Sequence, residues 1–550
     1  MSTQSDFLPA SRPLLSDTKS CEQWLASAYL SDPRQACHEF TLLIEQLEEA
    51  PPRHNDYLDI LERLRKPLGA AQEELAKKFL SKPLPLGHIE NAAFEQAYDL
   101  WRAVMRGYRR LFRAALKNTH PELAGRLPLL CQRSLEAIGE LLAAFWQARR
   151  EIDPDLWPLL HELYAIAEAR GFANLNLAKA GTGAANTNAH IAAIKSCTST
   201  YMRPILLQLA QPYGLSGRDF QLMRRWAYRW SHKPRLLTAQ GRSGAYCIDL
   251  AGSEGARWTT TAAPGGGTAT SPAAGATLRY IDMGELARSL RGRQRLLGGG
   301  AMPAELGLGT DCTQATCGEL LSQLAHTWLD VPKARQFPRR QQVAPTELVA
   351  GFAAIHHAIS GKLLETNLKQ WDYSRRDAEH IHIFQHAPAL ADRAAALHQA
   401  TLLLEQWDTL DESATGFRMR RSGPGTRLQH RQLVALRPQG AKRMILAEVR
   451  WLVSGHDNTL SVGARALPGI ARACLVRIKS DLASQKDPYS PAFLLPVAPG
   501  LAPSLVLPSG WYQNGREVEL QLEDESFVVS LFGLLGRGAD YDRANFTARA

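Results

Sequence analysis

Two short groups of residues in the C-terminal half carry the side chains that an anionic ligand needs. The first contains Arg335 and Arg339, four positions apart, with Arg340 directly after them. The second, Asp411 to Gly416, reads D-x-S-x-x-G. Arginine binds phosphate bidentately and stacks on flat rings, and glycine lets the backbone approach a ligand closely. Each group alone is also explained by surface arginines or by a local turn, in which Asp and Ser bond nearby backbone.

Apolar and polar residues alternate in the segments that follow these groups, as is typical of half-buried strands. The alternation runs through Met444–Val453 and again through Leu460–Ala466. Near the end of the chain, Val518, Leu520 and Leu522 alternate with acidic and amide residues. Glycine and proline between the runs mark turns, so the pattern predicts a small antiparallel barrel or sandwich.

Both residue groups, in this order and ahead of these strands, resemble the PilZ domain, a bacterial receptor module for cyclic di-GMP. The PilZ pattern is R-x-x-x-R, then [DN]-x-S-x-x-G at the start of a barrel strand, and the resemblance covers about 335–470. It implies a six-stranded antiparallel β-barrel. It also implies a set of ligand-binding residues, in which Arg340 is included because the adjacent arginines leave the register open: Arg335, Arg339, Arg340, Asp411, Ser413 and Gly416.

The resemblance implies further that the arginine segment precedes the barrel and folds over the ligand. Asp411, Ser413 and Gly416 would then line the opposite wall, where a carboxylate can accept hydrogen bonds from guanine. The sequence departs from the family in the gap of 72 residues between Arg339 and Asp411. This gap contains an insertion near 360–405 with a predicted helix over Pro388–Glu405, which could reshape or cover the site.

The N-terminal part predicts helices rather than strands. Apolar residues recur at spacings of three and four, for example from Ala97 through Trp101, Val104 and Tyr108 to Leu111. This spacing places them on one helical face. Helices with short breaks indicate a bundle or an array of helical hairpins.

We therefore expect a multidomain α + β chain whose C-terminal extension either adds to the barrel or forms a small domain of its own. The expected divisions are a disordered N-terminus (1–19), an α-helical domain (20–235), a mixed connector with a Gly-rich loop (236–330), a PilZ-like barrel with its insertion (331–475) and a β-rich extension (476–550).

Composition and missing motifs exclude several classes of protein. The 550 residues are 45% hydrophobic and carry a formal charge of +10, which is ordinary for a globular chain. No secretory signal and no apolar run near the ~20 residues of a membrane span is present. The eight cysteines are expected to be reduced thiols in a cytoplasmic protein. P-loop, zinc-protease and G-x-S-x-G motifs are missing, so we expect no enzyme and no cofactor.

Two weaker patterns carry alternatives. A metal site is conceivable in the insertion, but the spacing fits no closed site, so none is expected; the residues are Asp377, His356, His357, His380, His382 and His386. The segment Arg224–Trp230 interleaves cations and rings, as single-strand binders do. A core or partner-docking face is the better interpretation of that helix, so we do not expect a nucleic-acid partner.

The sequence as a whole predicts a cyclic di-GMP receptor of the bacterial cytoplasm. Ligand binding at the barrel would be coupled to an unidentified protein partner through the helical domain. The alternative is an adaptor with a degenerate barrel that binds protein and no nucleotide.

Overall fold

The computed structural model describes residues 15–28, 30–177, 195–240, 244–259, 277–330, 338–361, 404–479, 489–497, 500, 502–523 and 525–548. These residues form two compact units. The first contains residues up to 82 together with 86–334, and the second contains 83–85 together with 335–550.

The first unit is built mainly from helices that bury their apolar faces. They are α1 (Thr18–Ser27), α2 (Pro33–Glu49), α3 (His54–Ala76), α4 (His88–Leu116), α5 (Pro121–Ala124), α6 (Leu127–Ala148), α7 (Leu156–Ala169), α8 (Cys197–Leu209) and α9 (Gly217–Trp230). Side chains of Asp17, Asp32, Ser196 and Ser216 accept hydrogen bonds from the first turns of their helices, which satisfies backbone donors that have no partner within the helix. The predicted face of α4 is confirmed, since Ala97, Tyr108 and Leu111 are buried.

A small sheet and two further helices complete the first unit. The strands β1 (Arg235–Leu237), β2 (Gly244–Asp249), β3 (Arg257–Trp258) and β4 (Leu278–Asp282) pair in the order β1-β4-β2-β3. The helices are α10 (Gly284–Gly298) and α11 (Gln314–Leu329). Ile281, Leu286 and Trp328 join the same hydrophobic core as the helices before them. The predicted Gly-rich loop lies outside the described residues.

The expectation that all cysteines are reduced is wrong for one pair. Cys312 and Cys317 form a disulfide with a Cα–Cα separation of 5.8 Å, within the usual range for this bond. Thr313 caps α11, so Cys312 lies just before the helix and Cys317 lies one turn into it. The helix start therefore brings together two thiols that are five residues apart in the chain.

The aromatic residues of α9 belong to the core. Trp226 and Trp230 are each only 1% exposed, and their rings lie 5.5 Å apart. Trp226 donates its indole N–H to the carbonyl oxygen of Leu308 at 2.9 Å. These rings cannot stack on a nucleic-acid strand at the surface, which favours the core interpretation of this helix.

The second unit begins with a closed six-stranded barrel. Its strands are β5 (Arg340–Ala350), β6 (Glu405–Ser413), β7 (Gly416–Arg421), β8 (Leu433–Pro438), β9 (Ile445–Ser454) and β10 (Leu460–Ala466), in the order β10-β7-β6-β5-β8-β9. A helix, α12 (Phe352–Ser360), follows β5. The predicted helix over Pro388–Glu405 is wrong at its end, because Glu405 already begins β6; residues 388–403 lie outside the described residues.

A second closed six-stranded barrel follows the first. Its strands are β11 (Arg472–Ile478), β12 (Ser490–Leu495), β13 (Ser504–Pro508), β14 (Glu517–Leu522), β15 (Glu525–Arg537) and β16 (Tyr541–Ala548), in the order β11-β12-β13-β16-β15-β14. The C-terminal extension thus forms a barrel of its own rather than adding strands to the first. Leu433, Phe493, Val506 and Tyr541 share one core between the two barrels. The expected multidomain α + β class, with helices first and barrel strands after them, is confirmed.

Candidate ligand-binding site

The D-x-S-x-x-G pattern forms the β6–β7 hairpin. Ser413 pairs with Gly416 across a two-residue turn, and the Ser413 hydroxyl lies 3.4 Å from the Gly416 carbonyl oxygen. A Cβ at Gly416 would lie 3.4 Å from the backbone oxygen of Ala464 in the neighbouring β10. This separation is an ordinary van der Waals contact, so the packing of β10 leaves room for a Cβ at position 416. The hairpin agrees with the interpretation of the pattern as a local turn. It also agrees with the predicted position at the start of a barrel strand, because Gly416 begins β7.

Asp411 joins the two predicted groups through an ion pair. Arg339 donates to Oδ1 of Asp411, and Arg418 of β7 approaches Oδ2 at 3.9 Å. Asp411 is only 8% exposed, so its charge is largely removed from water and needs these cations. The two halves of the pattern meet although 72 residues separate them.

The two remaining predicted arginines do not reach this contact in the described part of the chain. Arg340 is the first residue of β5, is exposed, and pairs with Glu412 of β6. Arg335 lies outside the described residues. Among the described arginines of this segment, Arg339 is thus the one placed beside Asp411.

Next to the hairpin is an open cleft with a cavity volume of about 330 Å³, which we call the arginine cleft. Arg339, Ser413 and Gly416 line it, as do several residues that the sequence reasoning did not single out as site residues: Thr415, Phe417, Arg450, Trp451, Gly463, Ala464 and Arg465. Arg465 pairs with Gly416 across β10 and β7, which explains how residues of the closing strand reach the hairpin.

Trp451 lies over Gly463 in this cleft. A Cβ at position 463 would overlap the indole ring of Trp451, so only glycine leaves room for the ring. The sequence held a signal for this contact, because a glycine inside a predicted strand indicates a close approach of another group. It held no signal for which group approaches.

The electrostatics of the arginine cleft favour an anion. Arg339, Arg450 and Arg465 line it, and the described lining contains no carboxylate. Arg450 is held at 3.1 Å by Glu448, which is itself buried. Guanidinium groups bind phosphate and stack on aromatic rings, and the indole offers a flat surface next to them. This arrangement suits an anionic ligand with flat rings.

Elsewhere, one group in the described residues could hold a metal ion. His54, His120 and Glu122 of the first unit each offer a ligand atom, and these atoms lie within 4.8 Å of one another. Of the predicted histidine cluster, His356 and His357 lie on α12, whereas Asp377, His380, His382 and His386 lie outside the described residues. Of the described residues, neither the group of His54, His120 and Glu122 nor the pair His356 and His357 lines the arginine cleft.

In the part of the chain that the structure describes, we find no helix with the length and apolar character that crossing a bilayer requires.

Two family models match the chain. Residues 19–240 match the model described as "Cyclic-di-GMP receptor FimW, N-terminal domain". Residues 474–549 match the model described as "FimW C-terminal beta-barrel domain". Together the two matches cover more than half of the chain, and the first barrel lies between them. No curated protein matches the chain.

Proposed function

Because the chain belongs to the FimW family of cyclic di-GMP receptors, we propose that its first barrel binds cyclic di-GMP in the arginine cleft. The first barrel would then be the PilZ-like module that the two residue groups indicate. The observation that carries the proposal is the convergence of Arg339, Arg450 and Arg465 with Trp451 around the Ser413–Gly416 hairpin.

The chemistry of the ligand matches the lining of the cleft. Cyclic di-GMP carries two negative charges and two guanine rings. The guanidinium groups of Arg339, Arg450 and Arg465 would bind its phosphates or stack on its bases. The indole of Trp451 would contact a flat base, and the Ser413 hydroxyl would bond a phosphate or a base edge.

Asp411 would take part through an exchange of partners. Its carboxylate accepts from Arg339, and a guanine can replace that donor with its own N–H groups. Arg339 would then turn to the ligand, drawing with it the preceding segment that carries Arg335. Arg340 would contribute only if this segment rearranged further.

The receptor would signal by changing the surface that it presents to a partner. A ligand shifts such an equilibrium only if it binds the two arrangements unequally. We propose that cyclic di-GMP favours the arrangement in which the segment with Arg335 and Arg339 folds over the ligand. A protein partner would recognise this arrangement by binding to the helical domain. The receptor would act in the bacterial cytoplasm and would not itself catalyse a reaction.

Calorimetric titration with cyclic di-GMP tests the proposal. Asp411→Ala and Arg465→Ala should each weaken binding by about 10- to 150-fold, the loss expected for one charged hydrogen bond. Arg472→Ala is the matched control, because Arg472 is an exposed arginine of the second barrel paired with Glu523 at 2.8 Å. Equal affinity in all three variants would contradict the site, and no binding by the wild type would favour the adaptor alternative.

A further inference from the structure

The helical unit contains an elongated cavity that the proposed receptor site does not use. It has a volume of about 240 Å³ and is lined chiefly by α3, α4, α6 and α9. We call it the helical slot. Its volume is below the roughly 300–1,000 Å³ of pockets that hold drug-sized ligands, so an occupant must be small or narrow.

One face of α6 lines the helical slot from end to end. Arg133, Ala137, Glu140, Ala144 and Gln147 recur at spacings of three and four and all border it. At a rise of about 1.5 Å per residue, this face is about 20 Å long. The slot is therefore long and narrow rather than round.

The slot is bordered by a glycine that packing does not require. Gly69 lies in the interior of α3 and borders the slot, and a Cβ there would have no heavy atom within 4 Å. Glycine destabilises a helix interior relative to alanine. Neither a clash nor a positive φ requires the glycine, so a larger side chain at this position can extend into open space.

One end of the slot carries an amide without a partner. Gln147 is 6% exposed and borders the slot, and its side chain has no hydrogen bond to any described residue. Gln72 also borders the slot; its Nε2 donates to the carbonyl oxygen of Ala97 at 3.0 Å. Phe94 of α4 packs on Phe145 of α6 at 5.3 Å, which places Gln147 at the same end as Ala97. The amide of Gln147 is not among the fully buried polar atoms that lack a partner, so it is accessible from the slot and can bond a group placed there.

The arginines of the slot and two of its glutamates are already in ion pairs, and Glu73, which also borders the slot, is exposed to solvent. Arg65 contacts Glu136 at 2.6 Å, and Arg224 contacts Glu140 at 2.6 Å. Arg133 contacts Glu62 at 2.7 Å. Because these pairs are complete and Glu73 is in contact with water, an occupant need not bring a charge of its own. The middle of the slot is apolar, with Leu64, Leu68 and Val104 in its walls.

We propose that the helical slot binds a small neutral amphiphile, a linear hydrocarbon chain with an amide or hydroxyl head group. The head group bonds Gln147, with Gln72 beside it, and the chain lies along the leucines of α3 and the alanines of α6. The chain gains binding energy from burial of apolar surface. The head group satisfies the amide that the protein leaves without a partner.

Titration of the full-length protein with octanamide tests this inference. We expect saturable binding at one site, about tenfold stronger than for hexanamide because two more methylene groups are buried. Gln147→Leu should weaken octanamide binding about tenfold through the lost hydrogen bond. Octanoate and octylamine should bind at least tenfold more weakly than octanamide, because each brings an unpaired charge into the slot.

Filling the slot gives the sharpest comparison. Gly69→Leu should abolish octanamide binding while the helix is retained, since leucine favours a helix over glycine. Gly292→Leu is the matched control: Gly292 lies inside α10, also has free space around it, and does not border the slot. An unchanged far-UV circular dichroism spectrum and unfolding midpoint in both variants would show that the helical unit is intact. No saturable binding of octanamide, or equal binding by Gly69→Leu, would overturn the proposal and leave the receptor site untouched.

Discussion

The indole of Trp451 occupies the space that a side chain at Gly463 would need. Gly463 lies on β10 directly opposite Trp451 of β9, so the glycine decides where the ring stands in the arginine cleft. Gly463→Ala should displace the ring, lower the free energy of unfolding by about 1–3 kcal/mol through overpacking and weaken cyclic di-GMP binding at least tenfold. Denaturant unfolding and calorimetry measure the two effects.

Gly423→Ala is the control for this substitution, because a Cβ at that exposed position meets no heavy atom within 4 Å. It should change neither quantity measurably. Normal cyclic di-GMP binding by Gly463→Ala would mean that Trp451 does not contact the ligand.

The adjacent arginines at the start of the first barrel should differ in their effect on binding. Arg339→Ala removes the ion pair with Asp411 and a guanidinium of the cleft, so binding of cyclic di-GMP should weaken about 10- to 150-fold. Arg340→Ala removes an exposed side chain outside the cleft and should change the affinity less than threefold. A larger loss of affinity in Arg340→Ala than in Arg339→Ala would mean that Arg340, rather than Arg339, is the arginine that binds the ligand.

Stability should depend on pH through Asp540. Burial raises the pKa of its carboxyl group to about 6, while its Oδ1 accepts from the Leu433 backbone N–H at 2.9 Å. Because the folded state binds the proton more tightly than the unfolded state, this residue lowers stability as pH rises from about 4 through 6. Asp540→Asn keeps the acceptor and removes the charge.

The Asp540→Asn variant should therefore be more stable than the wild type by about 2–3 kcal/mol at pH 8. The difference should fall to a few tenths of a kcal/mol near pH 3.5, where the carboxyl is protonated in the folded state and mostly protonated in the unfolded state. Unfolding curves at these two pH values measure it, and a difference that is the same at both would contradict the assignment.

The disulfide should contribute measurably to the helical unit. Closing a loop of this length restricts the unfolded chain by about 2 kcal/mol, so replacing Cys312 and Cys317 by alanine should lower the unfolding free energy by that amount. Reductant should lower the stability of the wild type and leave that of the double variant unchanged. Alkylation of the unfolded, unreduced protein should label the six other cysteines; labelling of eight would show that the bond does not form.

Local patterns in the sequence were sufficient to predict many of the helices and strands and part of the candidate site. The spacing in α4 identified the residues that are buried, and alternation identified β9 and β10, because both periods depend only on neighbours along the chain. The hairpin from Asp411 to Gly416 was also readable, since Asp, Ser and Gly direct the backbone of their own turn.

Contacts between residues that are far apart in the chain could not be predicted from such local patterns. Arg450, Trp451 and Arg465 reach the arginine cleft only because β9 and β10 close the first barrel in one register. The second barrel likewise depends on the pairing of β14 with β11, which lie about 40 residues apart. The helical slot needs helices from four parts of the chain.

The type of each element and the turn that carries Ser413 and Gly416 can be predicted from the amino-acid sequence, because they follow from local spacing and backbone preference. Tertiary packing is what brings Arg339 to Asp411, places Trp451 on Gly463 and leaves Gln147 without a hydrogen bond to any described residue. Such contacts depend on strand register and helix packing, which many distant residues set together, and no short stretch of sequence contains them.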